Sequence, residues 1–129
     1  MTPQIRTIDH FVLTVASIQA TVAFYRDALG FGVDVFGPEE RTALTFGTQK
    51  INLHEVGKEL TPRARVAMAG SGDFCLLTDT PVDEVARHLT GLGIEIEEGP
   101  APRTGALGPI NSIYFRDPDG NLVEVSNTL

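Results

Sequence analysis

Cysteine is nearly absent from this chain: one residue, Cys75, among 129. A lone thiol excludes a disulfide framework and fits a reducing compartment, so a cytoplasmic location is expected. Long apolar runs are also missing, and none approaches the roughly 20 residues that a membrane span needs. Positive charge is scarce, with 10 Lys and Arg against 17 Asp and Glu and a net charge of −7. That balance argues against a nucleic-acid backbone as partner. The opening stretch MTPQIRTIDH has no basic segment followed by an apolar core, so no secretory leader is expected. What is present is ordinary for a globular chain, 42% apolar and 21% charged. The length suits one domain, or two small halves sharing a core.

The chain repeats itself. DHFVLTVASIQATVAFYRDALGFGV (9–33) overlays GDFCLLTDTPVDEVARHLTGLGIEI (72–96) at a constant offset of 63 residues, without a gap. Phe11 falls on Phe74, Leu13 on Leu76, Val22 on Val85, Leu29 on Leu92 and Gly30 on Gly93. Each half opens with a β-type run, HFVLTV or DFCLL, followed by a cap candidate, Ser17 or Thr80. Ile18, Val22, Phe24, Tyr25 and Leu29 then recur at helical spacing, as do Val82, Val85, Ala86, Leu89 and Leu92. Each helix should stop at a glycine, Gly30 or Gly93, where a left-handed cap costs little. Three more strand-like runs follow in each half: GVDVF, TALTF and KINLHEV, then IEIEE, SIYF and NLVEV. The expected fold is therefore α+β, with two tandem βαβββ modules over 5–57 and 72–128 joined by a linker at 58–71. A four-stranded sheet with one helix leaves a face uncovered, so two curved sheets enclosing a cavity are expected in a single domain.

Strand alternation sorts the side chains. Phe11, Leu13 and Val15 should meet the first helix, leaving His10, Val12 and Thr14 on the inner face. The same rule puts Asn52 and His54, Asp73 and Cys75, and Leu122, Glu124 and Ser126 on inner faces. His10 superposes on Asp73, and His54 superposes on Glu124 once one residue is allowed in the longer RDPDGN turn. Taken singly, each has a structural explanation: a hydrogen-bonded strand histidine, a turn aspartate, or a glutamate paired with Arg41 or Arg103. Taken together, two imidazoles and carboxylates suit a divalent metal, Fe(II), Zn, Ni or Mn. Cys75 is expected as a small core residue.

At these residues the chain resembles the vicinal oxygen chelate superfamily, which includes glyoxalase I, extradiol dioxygenases, fosfomycin-resistance transferases and bleomycin-binding proteins. IDHFVLTVASI, TVAFYRDALGF and YFRDPDGNLVEVSN carry the resemblance across nearly the whole length. FGTQKINLHEVG and SGDFCLLT are similar to a subgroup of glyoxalase-domain-containing and virulence-associated proteins. The resemblance matches His10 to a first-strand metal histidine and Glu124 to a terminal-strand metal glutamate. The metal-binding families usually have a histidine where Asp73 stands, and their first-module Glu or Gln matches either Asn52 or His54. It implies a metal-dependent lyase or isomerase acting on a small oxygen-rich metabolite. An Fe(II) dioxygenase and a metal-free, bleomycin-resistance-like binding protein are the alternatives. A homodimer is also implied. Glu124 and Asp73 are the expected catalytic residues, and His10, His54, Glu124 and Asp73 the expected metal ligands.

Substrate contacts are expected from Arg41, Asn52, Arg103, Ser112 and Tyr114. The Gly/Pro-rich stretch RTGALGPINS reads as a loop able to form a lid. Arg103 within it suits a carboxylate or phosphate, which a guanidinium grips with two parallel hydrogen bonds.

Overall fold

The computed structural model describes all 129 residues. The chain divides into two compact units, Met1–Ala67 and Met68–Leu129. No helix is long and apolar enough to cross a membrane.

In the first unit, β1 (His10–Val15) leads into α1 (Ile18–Leu29), followed by β2 (Gly32–Phe36), β3 (Arg41–Phe46) and β4 (Gln49–Glu55). The sheet order is β1-β4-β3-β2, with β1 parallel to β4 and the remaining pairs antiparallel. Ser17 caps α1 by accepting the Ala20 amide proton at 3.1 Å. Glu55, at the end of β4, accepts the Ile18 amide at 3.0 Å, so two of the helix's orphan donors are satisfied. Gly30 closes the helix with φ of 67°, and its amide reaches back to the last turn. The helix buries Thr21, Tyr25 and Ala28 most deeply, so the apolar stripe is centred one position away from the Val22–Leu29 line. Leu13, Val15, Leu44, Ile51 and Leu53 supply the sheet's side of this core. Burying each such side chain contributes about 1.5–3 kcal/mol. Tyr25, Phe31 and Phe46 stack in sequence, at 5.5 and 4.7 Å between ring centres, and tie the start of β2 to the helix.

The second unit repeats the plan: β5 (Asp73–Leu77), α2 (Val82–Gly91), β6 (Glu98–Thr104), β7 (Pro109–Arg116) and β8 (Leu122–Thr128), in the order β5-β8-β7-β6. Both units therefore have the βαβββ grammar expected of the repeat.

Three local expectations are corrected. Thr80 does not cap α2, whose N-cap is Pro81 and has no side-chain cap of its own. Asn127 of β8 accepts the Val82 amide at 2.8 Å and donates to the Thr78 and Thr80 carbonyls. Capping is thus supplied from across the sheet. The sixth strand is not IEIEE but EGPAPRT, beginning at Glu98. Its prolines are tolerated because β6 is an edge strand with a register shift between Glu98 and Ala101. At Gly99, where φ is +99°, a Cβ would collide with the Ser112 carbonyl oxygen, so that position requires glycine. Consequently RTGALGPINS is no lid: most of it belongs to β6 and β7, and Gly105 and Gly108 close the hairpin with a 2.8 Å backbone bond.

Candidate functional site

Each sheet has one face packed under its helix and one polar face, and the polar faces carry the candidate residues. On the first sheet, register places Thr14, His54, Arg41 and Phe36 in one row across the strands. Val12, Asn52, Ala43 and Asp34 form the next, and His10, Lys50, Thr45 and Gly32 the third. On the second sheet, Cys75, Glu124, Tyr114 and Glu98 form one row, and Leu77, Ser126, Ser112 and Ala101 the next.

The ladders also decide which residue of the first unit is equivalent to Glu124. Val12 and Cys75 correspond at the offset of 63; Val12 pairs with Asn52, and Cys75 pairs with Glu124. Asn52 is therefore the counterpart of Glu124. His54, opposite Thr14, corresponds to Ser126, opposite Leu77. The expected superposition of His54 on Glu124 is corrected. Asn52 and His54 lie two residues apart on one face of β4, so alternation cannot choose between them and only the ladder does.

Glu124 is half-buried and held by hydroxyls. Ser112 donates to its Oε2 at 2.7 Å, and Ser126 lies 3.4 Å from the same oxygen. Ser112 and Ser126 are 2.6 Å apart, and Cys75 Sγ is 3.3 Å from the Ser126 hydroxyl. Each hydroxyl and the thiol has one proton. Since Ser112 gives its proton to Glu124, it accepts from Ser126, which in turn accepts from Cys75. Partial burial pushes the Cys75 thiol upward, Ser126 opposes this, and the nearby Glu124 charge raises it further, so the thiol keeps its proton. Cys75, on the edge strand β5, is exposed rather than a core residue.

Tyr114 borders the same carboxylate. Burial raises its pKa, Arg103 opposes this, and the adjacent Glu124 adds to the rise, so the phenol stays a donor. Arg103 is fully engaged: Nε donates to the Tyr114 hydroxyl at 3.0 Å, Nη1 to the Pro102 carbonyl at 2.9 Å, and Nη2 lies 3.2 Å from Glu98. Asp73 is exposed at the start of β5. Its strand is set in register by the DPDGN turn, where Asn121 accepts the Gly72 amide at 2.7 Å and Asp117 accepts the amides of Asp119 and Asn121.

In the first unit, His10 Nδ1 lies 2.8 Å from Asp9 Oδ2, and the histidine side chain is 42% exposed. A carboxylate on one ring nitrogen fixes the tautomer and leaves Nε2 as a lone-pair donor, the usual support of a metal-bound histidine. His54 differs. Arg41 Nη2 donates to its Nε2 at 3.3 Å, which places the ring proton on Nδ1. Burial lowers the His54 pKa, and the nearby Arg41 charge lowers it further, so the ring is neutral. Within neither unit do three His, Cys, Asp or Glu side chains gather as a ligand set. Asp9–His10 in the first unit and the hydroxyl-held Glu124 in the second are each a donor type that divalent cations take.

A family model described as "Glyoxalase/Bleomycin resistance protein/Dioxygenase superfamily" matches residues 7–125. The chain belongs to this superfamily. It is 51% identical over 119 residues to virulence protein STM3117 of Salmonella typhimurium, covering 92% of this chain and 82% of the relative. It is 48% identical over 123 residues to glyoxalase domain-containing protein RDO1 of Mycosarcoma maydis, covering 95% and 69%. The solved integron cassette protein VCH_CASS1 of V. cholerae is 49% identical with a TM-score of 0.96, and the match covers 100% of both chains. More distant members include the metallothiol transferase FosB of Staphylococcus haemolyticus, 27% identical over 94% of this chain and 83% of the relative. A lactoylglutathione lyase from Agrobacterium tumefaciens is 28% identical, with a TM-score of 0.71 over 94% of this chain and 92% of that one.

Proposed function

We propose that this superfamily member is a divalent-metal-dependent enzyme of the lyase or isomerase type, acting on a small metabolite rich in oxygen. His10, Asp73 and Glu124 are the ligands in this reading. Asp73 is the counterpart of His10 at the offset of 63, so the first strand of each unit contributes one ligand. The observation that carries the proposal is Glu124 itself: a half-buried carboxylate on the polar face of β8, aimed by Ser112 at 2.7 Å and bordered by Tyr114. A structural ion pair would give Glu124 a cation, but its neighbours are hydroxyls and a thiol. The FosB and lactoylglutathione lyase likenesses agree with metal and lyase chemistry.

A metal bound there supplies a Lewis acid that polarises substrate oxygens. The chain's own contribution is orientation. Ser112 donates to Glu124 and holds its rotamer, and Arg103 donates to the hydroxyl of the bordering Tyr114. Asp9 holds the His10 ring.

The test is elemental analysis of the purified protein after reconstitution with Fe(II), Zn, Ni and Mn in turn. About one metal per chain is expected, lost in both His10→Ala and Glu124→Ala. Bound Fe(II) with oxygen-dependent turnover would turn the reading to a dioxygenase. No uptake of any of the four would overturn it in favour of a binding protein.

A further inference from the structure

The first unit contains three polar atoms with no partner, all on one sheet face and all shut off from water: Arg41 Nε, Asn52 Oδ1 and His54 Nδ1. His54 is 5% exposed and Asn52 3%. Each such atom costs about 1–3 kcal/mol when left unpaired, so a cluster of them calls for a ligand. Their chemistry is specific. Arg41 Nε is a cationic donor, and His54 Nδ1 is a donor because Nε2 accepts from Arg41. Asn52 Oδ1 is an acceptor. Asn52 and His54 lie two residues apart on β4, roughly 7 Å between Cα atoms, and Arg41 Nη2 on the neighbouring strand lies 3.3 Å from His54 Nε2.

The surroundings favour an anion. Arg41 is steadied by the Phe36 ring, 5.3 Å from the guanidinium carbon, and Lys50 Nζ sits 3.7 Å from the same ring. Arg63 acts on His54 as a nearby positive charge, with Glu59 opposing it, and Asp34 is the one acid on the polar face of β2. Arg103, the other candidate for gripping an anion, is committed to Tyr114, Pro102 and Glu98. Arg41 is not committed in that way.

We propose that Arg41, His54 and Asn52 form a binding subsite for a small hydroxy acid. Its carboxylate accepts from Arg41 Nε–H and His54 Nδ1–H, and a hydroxyl on the neighbouring carbon donates to Asn52 Oδ1. This deepens the functional reading above by naming the substrate class, and it gives His54 a role in substrate binding rather than metal ligation.

The test uses the full-length, 15N-labelled protein kept metal-free with EDTA, so its outcome is independent of whether a metal is bound elsewhere. Glycolate, acetate and chloride are titrated while the Arg41 Nε–H and His54 ring signals are followed by NMR. Glycolate is expected to give saturable shifts at both groups and to bind about tenfold more tightly than acetate, the difference being the hydroxyl. Arg41→Lys keeps the charge, removes the Nε–H, and should weaken glycolate by about tenfold. Asn52→Ala should leave acetate binding unchanged and abolish the preference for glycolate. Equal affinity for glycolate and acetate in the unaltered protein, or identical shifts with chloride, would overturn the proposal. The unaltered-protein comparison stands even if a variant fails to fold.

Discussion

Glu124 separates structural from functional roles at the scale of one residue. Its Oε2 accepts from Ser112, and glutamine can do the same through its amide oxygen. Glu124→Gln is therefore expected to shift unfolding stability by less than about 1 kcal/mol in urea melts while reducing metal uptake sharply. Glu124→Leu should be costlier, by about 1–3 kcal/mol, because it strands the hydroxyls aimed at the carboxylate. If both variants destabilise equally and metal content is unaffected, Glu124 is a structural acceptor. The polar face carrying Glu124 was legible in the sequence, because alternation alone assigns it. Its partners were not: Ser112 meets Ser126 and Tyr114 meets Glu124 only through the antiparallel register of β7 and β8. The Asn52–Glu124 equivalence was hidden for the same reason. His54 is the stronger ligand by residue type, and only the pairing of Val12 with Asn52 shows where it stands in the repeat.

At the scale of the elements, both helices are anchored at their N-termini by the last strand of their own sheet, through different residues. Glu55 of β4 accepts the Ile18 amide, and Asn127 of β8 accepts the Val82 amide. Asn127→Ala removes the bond to Val82 and two to the Thr78 and Thr80 carbonyls, with an expected loss of about 1–3 kcal/mol in a urea melt. Glu55 adds a pH signature. The Ile18 amide, and then Lys58, hold its carboxyl below the usual glutamate range in the folded chain. A depressed folded pKa means that the unfolded chain takes up protons first as the medium is acidified. The contribution is therefore complete above the ordinary glutamate pKa and is lost as pH falls through the folded one. Glu55→Gln should be less stable than the parent at neutral pH, and the gap should close in acid melts. A gap independent of pH would contradict the assignment. These anchors also explain what the sequence left obscure. Ser17 and Gly30 are local signals and were readable, whereas Asn127 caps a helix 45 residues away, which no local pattern shows. The strand at Glu98–Thr104 was obscured by Pro100 and Pro102, which a central strand would exclude and an edge strand accepts.

At the scale of the whole molecule, the first strand of each unit is also a sheet edge: β1 in one, β5 in the other. Edge strands are usually blunted by charge or cover. Here the polar-face residues of those edges include Val12, 44% exposed, and Leu77, 63% exposed. Exposed apolar side chains on edge strands favour association, and a net charge of −7 opposes indiscriminate aggregation. We propose a homodimer that covers these positions. Light scattering behind size exclusion should then give twice the chain mass of 13.9 kDa. Leu77→Asp and Val12→Asp would each place a charge at a covered position and should shift the mass towards the monomer at low micromolar concentration. A monomeric parent protein would remove the explanation for the exposed edges. A dimer that survives both aspartates would place the association on another surface. The proposed dimer also bears on the metal reading, since neither unit gathers three ligands by itself. If dilution to the monomer releases the metal from the unaltered protein, the ligand set depends on the assembly. If the metal stays, a single chain holds it.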